Sequence, residues 1–167
     1  MTLASALLAD FDRETVLTRR ILDAVPEDRL PWRPHAKSWT LAQLASHIAE
    51  APSWASSMFE DEMDFAAMAD YRPFEAKDKQ ELLQMLDENV AECRAALQGR
   101  DDAAMRGIWT ARMGDKVLMQ EPRHQVLRTI AIHHWIQHRG QLQVYLRLCD
   151  AVVPPTYGPT ADVAEWS

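Results

Sequence analysis

The stretch HWIQHRGQLQVYLR, residues 134–147, decides how this chain is read. Pro122 upstream of it suits the first turn of a helix. The spacing predicts one helix from Pro122 to about Cys149, roughly 42 Å long at 1.5 Å per residue. His134 and His138 are four apart, which sets both imidazoles on one face about one turn from each other. Leu127, Ala131, Gln141 and Tyr145 continue the same stripe, so that face looks inward. Two nitrogens so placed can reach one ion at roughly 2.0–2.1 Å each. The alternative is a pair of core-edge histidines satisfied by hydrogen bonds.

A third imidazole shifts that balance. In SWTLAQLASHIAE, residues 38–50, Ser38 or Thr40 can cap a helix that carries Leu41, Leu44, Ala45 and Ile48 inward. His47 follows Leu44 by three residues, at the polar–apolar boundary. Three His from two helices would form a facial set with positions left open for water or substrate. A lone His47 is otherwise an ordinary half-buried histidine. His133 is rotated by about 100° from His134, and His35 and His124 read as surface residues. Pro52 should kink or split the helix that bears His47.

Two further helices are expected. Leu7, Leu8, Phe11, Val16, Leu17, Ile21 and Leu22 mark the first, from about Leu3 to Val25, with Pro26 as its stop. Leu82, Leu83, Leu86, Val90 and Cys93 mark another from about Asp78 to Leu97, with Gly99 as a terminal cap. Residues 61–76 are acidic, aromatic and ambiguous. Residues 108–120 read as a short hairpin around Gly114-Asp115 or an extended excursion. The tail VVPPTYGPTADVAEWS is no helix, and its Tyr157 and Trp166 are expected to pack back on the body. Four long helices in one small domain imply a bundle, whose interior is a natural place for a metal site.

The chain has 167 residues, 18 Lys and Arg against 25 Asp and Glu, and a formal charge of −7. That length predicts a single domain over 1–167. With 47% hydrophobic residues a core is affordable and global disorder is not expected. The acidic balance speaks against a nucleic-acid partner, and no apolar run suits a membrane span. The N-terminus turns acidic too early for a signal peptide, so a cytoplasmic location is expected. Cys93 and Cys149 make neither a disulfide framework nor a cysteine zinc site, and they read as packing residues.

Three segments together resemble the DinB/YfiT-like (damage-inducible DinB) family: SWTLAQLASHIAE, the His-x3-His-Arg-Gly-Gln run inside 134–147, and the tail PPTYGPTAD at 154–162. The resemblance implies an all-α four-helix bundle, up-down-down-up, with a long crossover between helices 2 and 3 that would be the acidic stretch 61–76. The short hairpin would precede helix 4. It also implies one divalent metal ion (Zn, Ni or Fe) held by His47, His134 and His138, and a homodimer packed through helices. The family includes thiol-dependent S-transferases and isomerases, so the implied partners are a small-molecule substrate and a low-molecular-weight thiol.

An open-coordinated ion on three imidazoles would supply a hydroxide or thiolate nucleophile at neutral pH. The expected function is therefore a metal-dependent transferase or hydrolase. The alternative is a non-catalytic, metal-stabilised binding or dimerisation module of a stress response. Glu50, three residues after His47, is either a base near the metal or a solvated surface carboxylate. Gln141 reads as an internal hydrogen-bonding partner. Arg139 should tie down a helix end or a carboxylate such as Asp162, and Gly140 should allow close helix approach. Trp39, Trp54 and Trp135 read as core more readily than as substrate wall. Met58, Met63 and Met68 could line an apolar mouth, with core filling as the default. The run EDEMD reads as a solvated face or crossover edge, a second cation site being the minor alternative.

Overall fold

The computed structural model describes residues 1–165; the expected packing of Trp166 lies outside the described residues. Helix α1 spans Leu3–Asp23 and starts at Thr2, whose hydroxyl accepts the Ser5 N–H. Helix α2 spans Leu41–Glu50. Of the two candidate caps it uses Thr40, in a reciprocal box with Gln43. Pro52 then forces a 3₁₀ turn over Ala51–Ser53 before the short helix α3, Trp54–Ser57. Helix α4, Lys79–Leu97, is capped by Asp78 and ends before Gly99, which takes φ 76°. The short helix α5, Asp102–Arg106, follows.

The long C-terminal helix is not uniform. It opens as α6, Arg123–Val126, widens into a π-helical stretch over Leu127–His133, and continues as α7, His134–Leu148. The His134 N–H reaches back five residues to the Thr129 carbonyl. A π turn holds more residues than an α turn, so this stretch resets the helical phase just before the two histidines. Helix α1 packs on α4 and α7, and α2 packs on the same two.

The expected all-α four-helix bundle is overturned by a three-stranded mixed sheet. Strand β2, Ile108–Met113, and β3, Lys116–Pro122, form an antiparallel hairpin. Its two-residue loop starts at Gly114 with φ 57°, a conformation that glycine adopts without a Cβ penalty. Strand β1, Glu62–Asp64, comes from the crossover and pairs parallel to β2, with Glu62 opposite Thr110 and Asp64 opposite Arg112. Two carboxylates around one methionine carry no strand signal of their own; β1 forms because the hairpin offers it an edge. Arg123 holds the crossover there. Its Nε donates to the Met58 carbonyl at 2.9 Å, and its Nη2 to the Glu60 carbonyl at 3.2 Å and the Asp61 carboxylate at 3.0 Å. A Cβ on Gly107 would stand 2.1 Å from Arg123 Nη1, so the glycine clears the guanidinium's path.

Two buried polar links fix α7. Pro52 has no N–H, so the Ile48 carbonyl four residues earlier lacks its ordinary α-helical donor. The indole Nε1 of Trp135 fills the gap at 2.7 Å, while its ring stacks on Phe11 with centroids 5.2 Å apart. The second link is Arg139, 1% exposed. It pairs not with Asp162 but with Glu14 of α1 at 2.7 Å, and donates to Thr18 at 3.2 Å and to the Tyr157 hydroxyl at 2.8 Å. Tyr157 in turn donates to Glu14 at 2.6 Å, so the tail does return to the body here. Asp162 binds Arg147 instead, at 2.6 Å, and accepts the Val153 N–H at 2.8 Å. The space above Gly140 is open, so close helix approach is not its role.

Replacing Trp135 by Phe keeps a ring against Phe11 but orphans the Ile48 carbonyl. The expected loss is about 1–3 kcal/mol in denaturant unfolding, with an unchanged m-value. A Trp135→Phe chain as stable as wild type would remove this link from the account.

Candidate metal centre

His47 stands on α2, three residues before its C-terminal end at Glu50, and His134 and His138 stand one turn apart on α7. The Trp135–Ile48 bond joins the residues that directly follow His134 and His47, and so holds the two helices at the height where the imidazoles meet. The ring centroids lie 4.4 Å (134–138), 4.7 Å (47–138) and 5.3 Å (47–134) apart. One donor nitrogen from each lies within 4.8 Å of the other two. Among the described residues this is the one group of three His, Cys, Asp or Glu side chains that converges in this way.

The donor set fits a divalent ion. His134 Nε2 and His138 Nε2 are 3.0 Å apart, close to the ~3.0–3.4 Å separation of two nitrogens bound at about 2.0–2.1 Å to one ion. His138 Nδ1 lies 2.7 Å from Gln141 Oε1. An Nδ1–H donated to that oxygen leaves the Nε2 lone pair for a ligand, the arrangement that orients metal-bound histidines generally. His47 Nε2 is buried with no hydrogen-bond partner, and so is His134 Nδ1. An ion at His47 Nε2 would remove one of these two buried orphans.

Two indoles wall the cluster. Trp39 meets His47 edge-on at 4.8 Å and stacks on His138 at 5.8 Å. Trp54 lies 5.2 Å from His47 and 5.4 Å from His134. Of the three tryptophans read as core, then, only Trp135 is core alone. Burial, with repulsion from His138 and His134, pulls His47 down to about 4 from the ordinary 6.5. Burial, followed by His138, also lowers His134. Neutral imidazoles at pH 7 are what metal ligation requires.

The other histidines stay apart. His35 is exposed and its Nδ1 accepts the Lys37 N–H at 3.1 Å. His133 is exposed. His124, expected at the surface, is half-buried, with Nδ1 3.1 Å from the Met105 carbonyl. The two thiols are buried, and burial pushes Cys93 up to about 12, consistent with packing rather than nucleophilic use. The acidic run is spent on structure: Asp61 pairs with Arg123, Glu62 with Arg112 at 3.1 Å, and Asp64 accepts the Gly114 and Ala66 N–H groups, both at 2.9 Å.

Beside the cluster opens a cavity of about 740 Å³ with His134 in its wall. Glu50 lines it and accepts a hydrogen bond from the Tyr71 hydroxyl, so Glu50 is not a free surface carboxylate. Met58, Met63 and Met68 line it as well, and Met58 is also buried core. Sequence reasoning missed Tyr71 and the sheet residues Trp109, Ala111 and Met119. The i, i+2 alternation of 109, 111 and 113 was the available signal, but it names a face without saying what the face meets.

The sequence pattern of the DinB family matches residues 1–166. No curated protein matches the chain in sequence. Among solved structures, the chain is similar to a DinB-like protein from Bacillus cereus ATCC 10987 (TM-score 0.72, 23% identity, covering 92% of this chain and 97% of that one). It is also similar to a DinB-like protein from Bacillus subtilis (TM-score 0.67, 16% identity, covering 89% and 96%). A mycothiol-dependent maleylpyruvate isomerase shares the fold more distantly (TM-score 0.52, 13% identity, covering 92% and 67%).

The depressed His47 and His134 values set a pH dependence for the metal-free chain. Below the ordinary imidazole value of 6.5 the unfolded chain takes up protons that the folded chain refuses. Stability should therefore fall as pH drops from about 6.5 toward 4. Allowing for solvent screening, His47 should account for on the order of 1 kcal/mol between pH 7 and 5. Urea melts of wild type and His47→Leu, both metal-free, check this. The wild type should lose more stability over that interval; parallel curves would contradict the assignment.

Proposed function

The chain belongs to the DinB family, and from that membership and the convergence of His47, His134 and His138 we propose that it is a metal-dependent enzyme acting on a small molecule. The observation that carries the reading is that His134 belongs both to the imidazole cluster and to the wall of a large cavity. A structural site is closed by four protein ligands; here three donors converge, and one of them, His134, borders a space that a reactant can enter. A divalent ion held there (Zn, Ni or Fe) would lower the pKa of a bound water toward ~7 or ionise a bound thiol, which suits a hydrolase or a transferase.

The chain's own residues supply the rest. Gln141 holds the His138 ring through Nδ1. Trp39 and Trp54 pack their rings against the imidazoles and limit how those can turn. Glu50 offers a carboxylate at the cavity that can accept a proton from an attacking group. Burial and the neighbouring Glu50 carboxylate raise the Tyr71 phenol above its ordinary value, so it stays protonated and donates to Glu50. The shared fold of a mycothiol-dependent isomerase supports trying a low-molecular-weight thiol as cosubstrate.

Elemental analysis of untagged protein, purified without chelator beside His134→Ala, tests the reading. About one ion per chain is expected in the wild type and a several-fold loss in the variant. Chelation should lower the melting temperature only modestly and reversibly, as for an exchangeable ion. A native chain that neither carries nor takes up an ion would end the metalloenzyme reading.

A further inference from the structure

The cavity beside the imidazoles has a chemical character that narrows what it takes. Among the described residues that line it there is no Lys or Arg, and Glu50 is the one carboxylate. The arginines of the crossover and the hairpin are committed elsewhere: Arg123 to the Met58 and Glu60 carbonyls and Asp61, Arg112 to Glu62. A ligand with negative charge along its body, away from the imidazole cluster, would therefore meet no counter-ion and one like charge. Desolvating such a charge without a partner is strongly unfavourable.

The wall is instead soft and apolar. Five of the chain's eight methionines line it: Met58, Met63, Met68, Met113 and Met119. Methionine's unbranched, polarisable side chain adapts to varied apolar shapes. Trp54 lines the cavity and stands 5.4 Å from His134, so the apolar wall runs directly up to the imidazole cluster. Glu50 is hydrogen-bonded to Tyr71 and stands one turn after His47 on α2; Ser53 and Ser57 are the other polar side chains of the lining besides His134.

We infer that the cavity binds a small molecule with an uncharged alkyl or aryl body and a single polar end, the polar end lying toward His134 and Glu50. Compounds that carry charge along the body, away from the imidazole end, are excluded as occupants, and a thiol cosubstrate charged along its body would have to lie outside this cavity. The direction of the polar end rests on the metalloenzyme reading; the neutrality of the body rests on the cavity wall alone.

The test uses the full chain, metal-loaded and metal-free, with the neutral fluorophore N-phenyl-1-naphthylamine as probe. One probe per chain should bind with quenching of tryptophan fluorescence, since Trp54 and Trp109 line the cavity. From the metal-free chain, a neutral alkylphenol should displace it, and maleate at equal concentration should not. Met68→Lys places a cation at a rim position that is 38% exposed, and should weaken probe binding about tenfold with the helical dichroism unchanged. Met113→Lys, at a 51% exposed position, serves the same purpose should Met68→Lys fold poorly. No binding to the metal-loaded chain, displacement by maleate as readily as by the alkylphenol, or unchanged binding in the folded Lys variants would overturn the inference. Probe binding to a chain that takes up no metal would uphold the neutral cavity and sink the metalloenzyme reading.

Discussion

The hydrogen bond from Trp135 to the Ile48 carbonyl is the constraint on which the site depends. Its cause is a single missing proton. Pro52 cannot donate, so the last full turn of α2 leaves a buried carbonyl without its α-helical donor. The donor comes from another helix, 87 residues away in sequence. Because Ile48 follows His47 and Trp135 follows His134, satisfying the carbonyl also matches the heights of the imidazoles. The same bond buries an indole against Phe11, which brings α1 into the arrangement.

Helix α7 divides its faces accordingly. His134 and His138 look into the cluster, Trp135, Leu142 and Leu146 fill the core, and Arg139 turns toward α1. The step of about 100° between neighbours allows a ligand histidine and a buried ion pair to sit side by side without competing. Arg139 is costly to bury, and four acceptors offset that cost: the Glu14 carboxylate and carbonyl, Thr18 and Tyr157. Since Tyr157 is one of them, the Pro- and Gly-rich tail becomes part of what holds the helix that carries His134 and His138.

Much of this was legible in the sequence because it is local. Helical periodicity, the Thr40 cap, the stop at Gly99 and the four-residue spacing of His134 and His138 all follow from neighbours along the chain. That His47 joins them needs only the two helices to pack. What escaped is what depends on distant pairing. Glu62–Asp64 becomes a strand only because β2 presents an edge, and the chain is therefore not all-α. Arg139 chose Glu14 over Asp162, and His124 went half under cover, because α1 and α5 supply the partners there. The π stretch before His134 has no sequence signature that periodicity would detect.

The division between legible and hidden parts follows the division of labour in the molecule. The donor atoms sit on long helices, where spacing fixes them to one face and buried links fix those faces to each other. The cavity that decides what reaches the donors is built largely from the crossover and the hairpin, elements whose conformation is set by each other. Ala111 faces Met119 across the hairpin, and β1 places Met63 alongside Ala111. A change in those segments can reshape the cavity without moving an imidazole, because neither the Trp135–Ile48 bond nor the Arg139–Glu14 pair passes through them. One helical frame can in this way carry different cavities, with the imidazoles held on the helices and the shape of the space beside them set by the irregular wall.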